Sequence, residues 1–210
     1  MNEIYSTFAQ KKIIPAVKIN DVKNALPLAD TFLQSDLNVL EVTFRSDAAA
    51  KSIEEIAKKY PDILLGAGTV KNVECAKIAV ECGAKFLVSP GFNEEVVTWC
   101  KKNNILLIPG IATPSEVEKA LLHDINVLKF FPAQIMGGVE MLKALSGPYS
   151  ECMFIPTGGI NTENALSYVK EKNVLAVGGS WLCPSSLVDR RDFLKISSLI
   201  KEALLALKVN

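Results

Sequence analysis

Short runs of β-branched and aromatic residues recur along the chain, each followed by a stretch whose apolar positions return every three or four residues. The strand-like runs are residues 13–18, 39–43, 63–67, 86–89, 105–109, 127–131, 153–157 and 174–177. Helical spacing fills 48–59, 73–81, 94–101 and 115–122, with starts marked by Asp47, Asn93, Thr113-Pro114 and Asn161. A further helix is expected at 3–12, closing the floor beneath the strands, and a last outer helix at 192–207. Repeated strand–helix units imply a parallel sheet with helical crossovers. Eight of them in 210 residues predict a single-domain (β/α)8 TIM barrel with an extra N-terminal helix, spanning residues 1–210. An open doubly wound sheet is the structural alternative, but it uses fewer strands.

Composition narrows the function classes. The apolar share of 49% supports a substantial core, and no apolar run is long enough for a membrane span. The start, Met1-Asn2-Glu3-Ile4-Tyr5, shows neither a basic leader nor a signal-peptide stretch, so the expected location is the cytoplasm. Lys plus Arg and Asp plus Glu both total 23, which gives no electrostatic reason to expect nucleic acid. The cysteines at 75, 82, 100, 152 and 183 form no Cys-x-x-Cys pair, and the lone His123 does not complete a zinc set, so no metal is implied. Cys75 and Cys82 share a helix face and read as packing residues. His123, Trp99 and Met136 carry no reading beyond packing or surface.

In a barrel of this kind the chemistry lies at the C-terminal strand ends. The most informative run is Val127-Leu128-Lys129-Phe130-Phe131-Pro132, where a buried strand gives way to loop. A lysine there is exposed, paired or deprotonated, because burying a lone ammonium is costly. Deprotonated, it is a nucleophile able to form a Schiff base with a carbonyl; the plainer reading is a side chain snorkelling to solvent. In Leu40-Glu41-Val42-Thr43-Phe44-Arg45, alternation puts Glu41, Thr43 and Arg45 on one side. Glu41 is then a candidate general acid or base and Arg45 a carboxylate clamp, or the two form an internal salt bridge. Gly66-Ala67-Gly68-Thr69 suits close backbone approach to a ligand, with Thr69 supplying a hydroxyl, though an ordinary turn reads the same way. Thr157-Gly158-Gly159 and Gly178-Gly179-Ser180 close the last two strands, and two such pairs in matching positions point to a phosphate nest.

Six motifs in order resemble one family. They are Glu41-Val42-Thr43-Phe44-Arg45, Gly66-Ala67-Gly68-Thr69-Val70, Ile108-Pro109-Gly110, Lys129-Phe130-Phe131-Pro132-Ala133, Pro156-Thr157-Gly158-Gly159-Ile160 and Val177-Gly178-Gly179-Ser180-Trp181. From about Ile14 to Ser180 the chain resembles the 2-keto-3-deoxy-6-phosphogluconate (KDPG) and 4-hydroxy-2-oxoglutarate (KHG) aldolases, departing at Phe44, where leucine is common. The resemblance implies a metal-independent class I aldolase without a cofactor, a barrel fold and a homotrimer, acting on a small 2-keto acid. It implies Lys129 as the Schiff-base residue and Glu41 as the proton shuttle. Arg45 and Thr69 would hold the pyruvate-end carboxylate, Thr157 would contact substrate, and Gly158, Gly159, Gly179 and Ser180 would bind the distal phosphate. Competing readings are a KHG aldolase, an aldolase for the galactonate epimer, a phosphate-binding barrel isomerase or epimerase using Glu41 as base, and a non-catalytic sugar-phosphate binding protein.

Overall fold

Every residue of Ile13–Val17, Val39–Thr43 and Val127–Phe130 is buried, as expected of parallel strands covered on both faces. The structure, a computed structural model, describes residues 3–207. Its first half runs α1 (Glu3–Lys11), β1 (Ile13–Val17), a 3-10 turn (Val22–Asn24), α2 (Ala25–Gln34), β2 (Val39–Thr43), α3 (Ala49–Lys59), β3 (Leu64–Gly68), α4 (Val73–Glu81), β4 (Phe86–Val88) and α5 (Glu94–Lys102). The second half continues with β5 (Leu107–Ile108), β6 (Gly110–Ile111), α6 (Pro114–Leu121), β7 (Val127–Phe130), α7 (Gly138–Ser146), β8 (Met153–Pro156), α8 (Ala165–Val169), β9 (Val177–Gly179), α9 (Ser185–Asp189) and α10 (Phe193–Leu207). The fold is α/β with parallel pairing throughout the named strands.

The strands pair in two groups, a six-stranded sheet in the order β5-β4-β3-β2-β1-β9 and a three-stranded sheet in the order β6-β7-β8. The expected fifth strand is split at Pro109 into β5 and β6, because proline brings no N–H to the ladder. At the opposite junction, Thr157 bridges Gly178 and Phe154 bridges Val174 as isolated pairs. The eighth expected strand, 174–177, is displaced to Val177–Gly179. Its glycines supply the backbone that pairs with β1, Ile14 opposite Gly178 and Pro15 opposite Gly179, and that pairing needs no side chain.

The helices answer to their caps. Asn93 accepts from the N–H groups of Glu95 and Val96, while Glu116 reaches back to the N–H groups of Ala112 and Thr113. Asn72, unmarked in the sequence reading, caps α4 by accepting from Cys75 N at 2.8 Å. Asp47 is not the cap of α3, which starts one residue later with Ala48 in that position. Asn161 closes a turn through Glu163 and Asn164 N–H, and α8 begins further on at Ala165.

The first helix packs against the sheet through Phe8. Phe8 is fully buried and meets Phe86, the first residue of β4, edge to face at 5.1 Å. His123 has a partner of its own, with Nε2 2.6 Å from Glu94 Oε1 and its ring against Phe92. Among the described residues no helix is long and apolar enough to cross a membrane.

Candidate active site

The parallel pairing turns all strand C-termini to one side, and there the side chains singled out in the sequence meet. Glu41, Arg45, Thr69, Lys129, Thr157, Gly158, Gly159, Gly179 and Ser180 line one cavity of about 320 Å³. Register explains the convergence. Glu41 stands level with Ala16 on one side and Gly66 on the other, and Lys129 lies between Gly110 and Ile155.

Lys129 and Glu41 are 6% and 3% exposed, so the snorkelling reading of Lys129 does not hold. Nζ of Lys129 lies 3.9 Å from Oε1 of Glu41, an ion pair beyond hydrogen-bond range. Oε1 of Glu41 accepts no hydrogen bond among the described residues. A buried acceptor left open costs about 1–3 kcal/mol, and a ligand hydroxyl donated to it would remove that cost. Burial pushes the Glu41 carboxyl above the ordinary carboxylate range, against the opposing pull of Lys129 and then of Arg45. An acid held this way can take a proton and give it back.

Arg45 is set in place through Thr43. Its Nε donates to Thr43 Oγ1 at 3.2 Å, and that hydroxyl donates to the Val17 carbonyl at 3.0 Å. The guanidinium is thus tied to β1 and β2, with its remaining donors available to an anion. Thr69 follows β3 with φ at +61°, a left-handed conformation that is unusual for a β-branched residue. Such a residue costs of order 1–3 kcal/mol and gathers at functional sites.

Three features escaped the sequence reading. The Phe131 ring lies 5.3 Å from Lys129 Nζ, although in the sequence it reads only as an apolar flank. Ala16 and Ile160 also line the cavity, and no polar signal marks them. The glycines of β3 serve a purpose different from the one expected. A Cβ at Gly68 would overlap the Glu41 carboxyl, and one at Gly66 would overlap the Phe86 ring. These glycines make room for protein side chains rather than for a ligand. The two later glycine pairs also differ in kind: Gly158 and Gly159 both take positive φ, +96° and +77°, whereas Gly178 and Gly179 stand in register with β1. Among the described residues no group of three His, Cys, Asp or Glu side chains is placed to hold a metal ion.

Known proteins resemble the chain over nearly its whole length. The family model for KDPG and KHG aldolase matches residues 4–199. The 2-dehydro-3-deoxy-phosphogluconate aldolase of Treponema pallidum is 43% identical over 204 residues, covering 97% of each chain. A crystal structure of KDPG aldolase from Legionella pneumophila, with pyruvate captured at low pH as a covalent carbinolamine intermediate, superposes with a TM-score of 0.92. It is 39% identical and covers 95% of this chain and 97% of its own. The Zymomonas mobilis KDPG aldolase structure with 3-phosphoglycerate has a TM-score of 0.90 at 36% identity, covering 97% and 95% of the two chains.

Proposed function

The chain belongs to the KDPG and KHG aldolase family, and from that premise we propose that Lys129 is its Schiff-base nucleophile and Glu41 its proton shuttle. The protein is a carbon–carbon lyase, an aldolase. Its substrate is 2-dehydro-3-deoxy-6-phosphogluconate, cleaved reversibly to pyruvate and glyceraldehyde 3-phosphate. The observation that carries the residue assignment is the 3.9 Å approach of Lys129 Nζ to Glu41 Oε1, both buried in the cavity wall.

The chemistry follows from these groups. Lys129 Nζ adds to the C2 ketone, and loss of water from the carbinolamine leaves an iminium. Glu41 takes the proton of the C4 hydroxyl, the C3–C4 bond breaks, and its electron pair passes into the iminium to give an enamine. The aldehyde leaves, C3 regains a proton, and hydrolysis frees pyruvate and Lys129. Arg45 and Thr69 hold the carboxylate next to C2, Thr157 contacts the substrate chain, and Gly158, Gly159, Gly179 and Ser180 receive the phosphate. The positive φ angles of Gly158 and Gly159 support this, since such turns present successive N–H groups to an anion.

The family description also covers KHG aldolase, so cleavage of 4-hydroxy-2-oxoglutarate is the second reading. The glycine loop favours the phosphorylated substrate. Relative cleavage rates on these two compounds and on the galactonate epimer rank them.

The same reading extends to architecture and setting. It takes the strands as one (β/α)8 barrel over a single domain of residues 1–210, with β5 and β6 as one strand interrupted at Pro109. The isolated Thr157–Gly178 pair supports closure at the other junction. The assembly is a homotrimer in the cytoplasm, the latter supported by five free thiols.

Borohydride reduction in the presence of pyruvate, followed by peptide mass spectrometry, tests the assignment. A reduced pyruvate adduct on the Lys129 peptide is expected. Pyruvate binding without an adduct would remove the Schiff base and return the isomerase or binding-protein reading.

A further inference from the structure

The loop after β8 is clasped from outside by a side-chain network that the chemistry above does not use. Gln134, four residues beyond the end of β7, donates its backbone N–H to the Gly158 carbonyl at 3.0 Å, next to the Ala133 N–H that bonds the Thr157 carbonyl at 2.8 Å. Its side chain lies directly over the second glycine: a Cβ at Gly159 would stand 2.5 Å from the Gln134 Cβ. The Gln134 Oε1 accepts from the Tyr168 hydroxyl at 2.8 Å and from Asn164 Nδ2 at 3.3 Å. Asn164 Nδ2 also donates to the Gly159 carbonyl at 2.9 Å, and Asn164 Oδ1 accepts from Asn161 N.

Each link has a physical consequence. Two consecutive glycines at positive φ lack the steric restraint a side chain would impose, so their N–H directions must be held by something else. The backbone N–H groups of Ala133 and Gln134 hold the Thr157 and Gly158 carbonyls, which in planar peptide units orients the N–H groups of Gly158 and Gly159, while the Gln134 side chain packs over Gly159 and Asn164 holds the Gly159 carbonyl. Tyr168 is 1% exposed, and burial pushes its phenol up, which keeps it a neutral donor. It ties Gln134 to α8. Gln134 itself is uncharged, so it orders the loop without placing a negative charge against an anion.

We propose that Gln134, held by Tyr168 and Asn164, is a positioning residue that sets the Gly158–Gly159 backbone for the substrate phosphate, and so confers the preference for a phosphorylated substrate. This rests on the reading of that loop as a phosphate site. Gln134 touches no reacting atom; its effect passes through the loop.

The test is steady-state kinetics of the full-length enzyme with 2-dehydro-3-deoxy-6-phosphogluconate and its unphosphorylated counterpart, together with pyruvate C3 proton exchange, which needs no phosphate. For Gln134→Ala and Tyr168→Phe, KM for the phosphorylated substrate is expected to rise about fivefold, the scale of one lost hydrogen bond. The kcat, the unphosphorylated substrate and the exchange rate should change far less. Gln134→Glu retains the acceptor for Tyr168 and Asn164 but places a negative charge beside the phosphate, so its KM for the phosphorylated substrate should rise at least as far as in Gln134→Ala, with the unphosphorylated substrate little affected. Unchanged KM in both deletions, or a parallel fall in all activities, would overturn the role of Gln134. A wild-type enzyme indifferent to the phosphate would overturn the phosphate loop itself, and the proposal with it.

Discussion

The Glu41 carboxyl occupies the space that a side chain at position 68 would fill. Glu41 stands on β2 and Gly68 ends the neighbouring β3, and a Cβ built on Gly68 would overlap the Glu41 carboxylate. The glycine therefore sets where the acid rests, and with it the 3.9 Å separation from Lys129. The smallest substitution in the site should be among the most damaging.

Gly68→Ala displaces Glu41 without removing it. Misplacing a catalytic group by about 1 Å can cost roughly a hundredfold in rate, and a kcat loss of that order is expected. The borohydride adduct with pyruvate should persist, because Lys129 is not displaced. A variant with wild-type kcat would show that the carboxyl has room to spare.

Lys129→Ala should lose cleavage by about a thousandfold or more, the scale of removing a covalent nucleophile. The fold should survive, since the residue leaves a buried strand whose backbone ladder is intact. Circular dichroism checks the fold and a coupled pyruvate assay the turnover. Substantial turnover in a folded variant would exclude the covalent route.

Glu41→Gln separates chemistry from stability. Turnover should fall about a hundredfold or more, the range of a general acid–base group, while pyruvate binding remains. Burial raises the folded-state pKa of Glu41 above its unfolded value. Its contribution to stability is therefore fully present below the unfolded pKa and is lost as pH rises through the folded one. The stability of the wild type relative to Glu41→Gln should decline as pH rises above the ordinary carboxylate range. Urea midpoints of both proteins from acid to neutral pH measure it, and a wild-type advantage that grows with pH would contradict the raised pKa.

Ser180→Ala should raise KM for the phosphorylated substrate by about tenfold, the scale of a hydrogen bond to a charged group. The unphosphorylated substrate should be little affected. Equal effects on both would move the phosphate away from the end of β9.

Much of this was legible in the sequence because the signals are local. The alternation Glu41-Val42-Thr43 directs Glu41 and Thr43 to one face, and both are buried at the site. The caps at Asn93 and Thr113 are also read within a few residues. Less legible was whatever depends on the neighbouring strand. Gly66 and Gly68 read as ligand-approach glycines because the Phe86 ring and the Glu41 carboxyl they accommodate are distant in sequence. Val174–Val177 read as a strand on apolar content, but the register with β1 selected the glycines instead.

By itself the sequence determined the alternation of strands and helices, the family, and the identity of the polar groups at the strand ends, since these follow from periodicity and short motifs. The tertiary structure decided that Lys129 and Glu41 face each other buried, 3.9 Å apart and beyond hydrogen-bond range, and that Gln134 is held by Asn164 and Tyr168 over the glycine loop. Those relations join residues tens of positions apart. Their distances are set by strand register and by the packing of helices on the sheet, and no pattern confined to neighbouring residues encodes them.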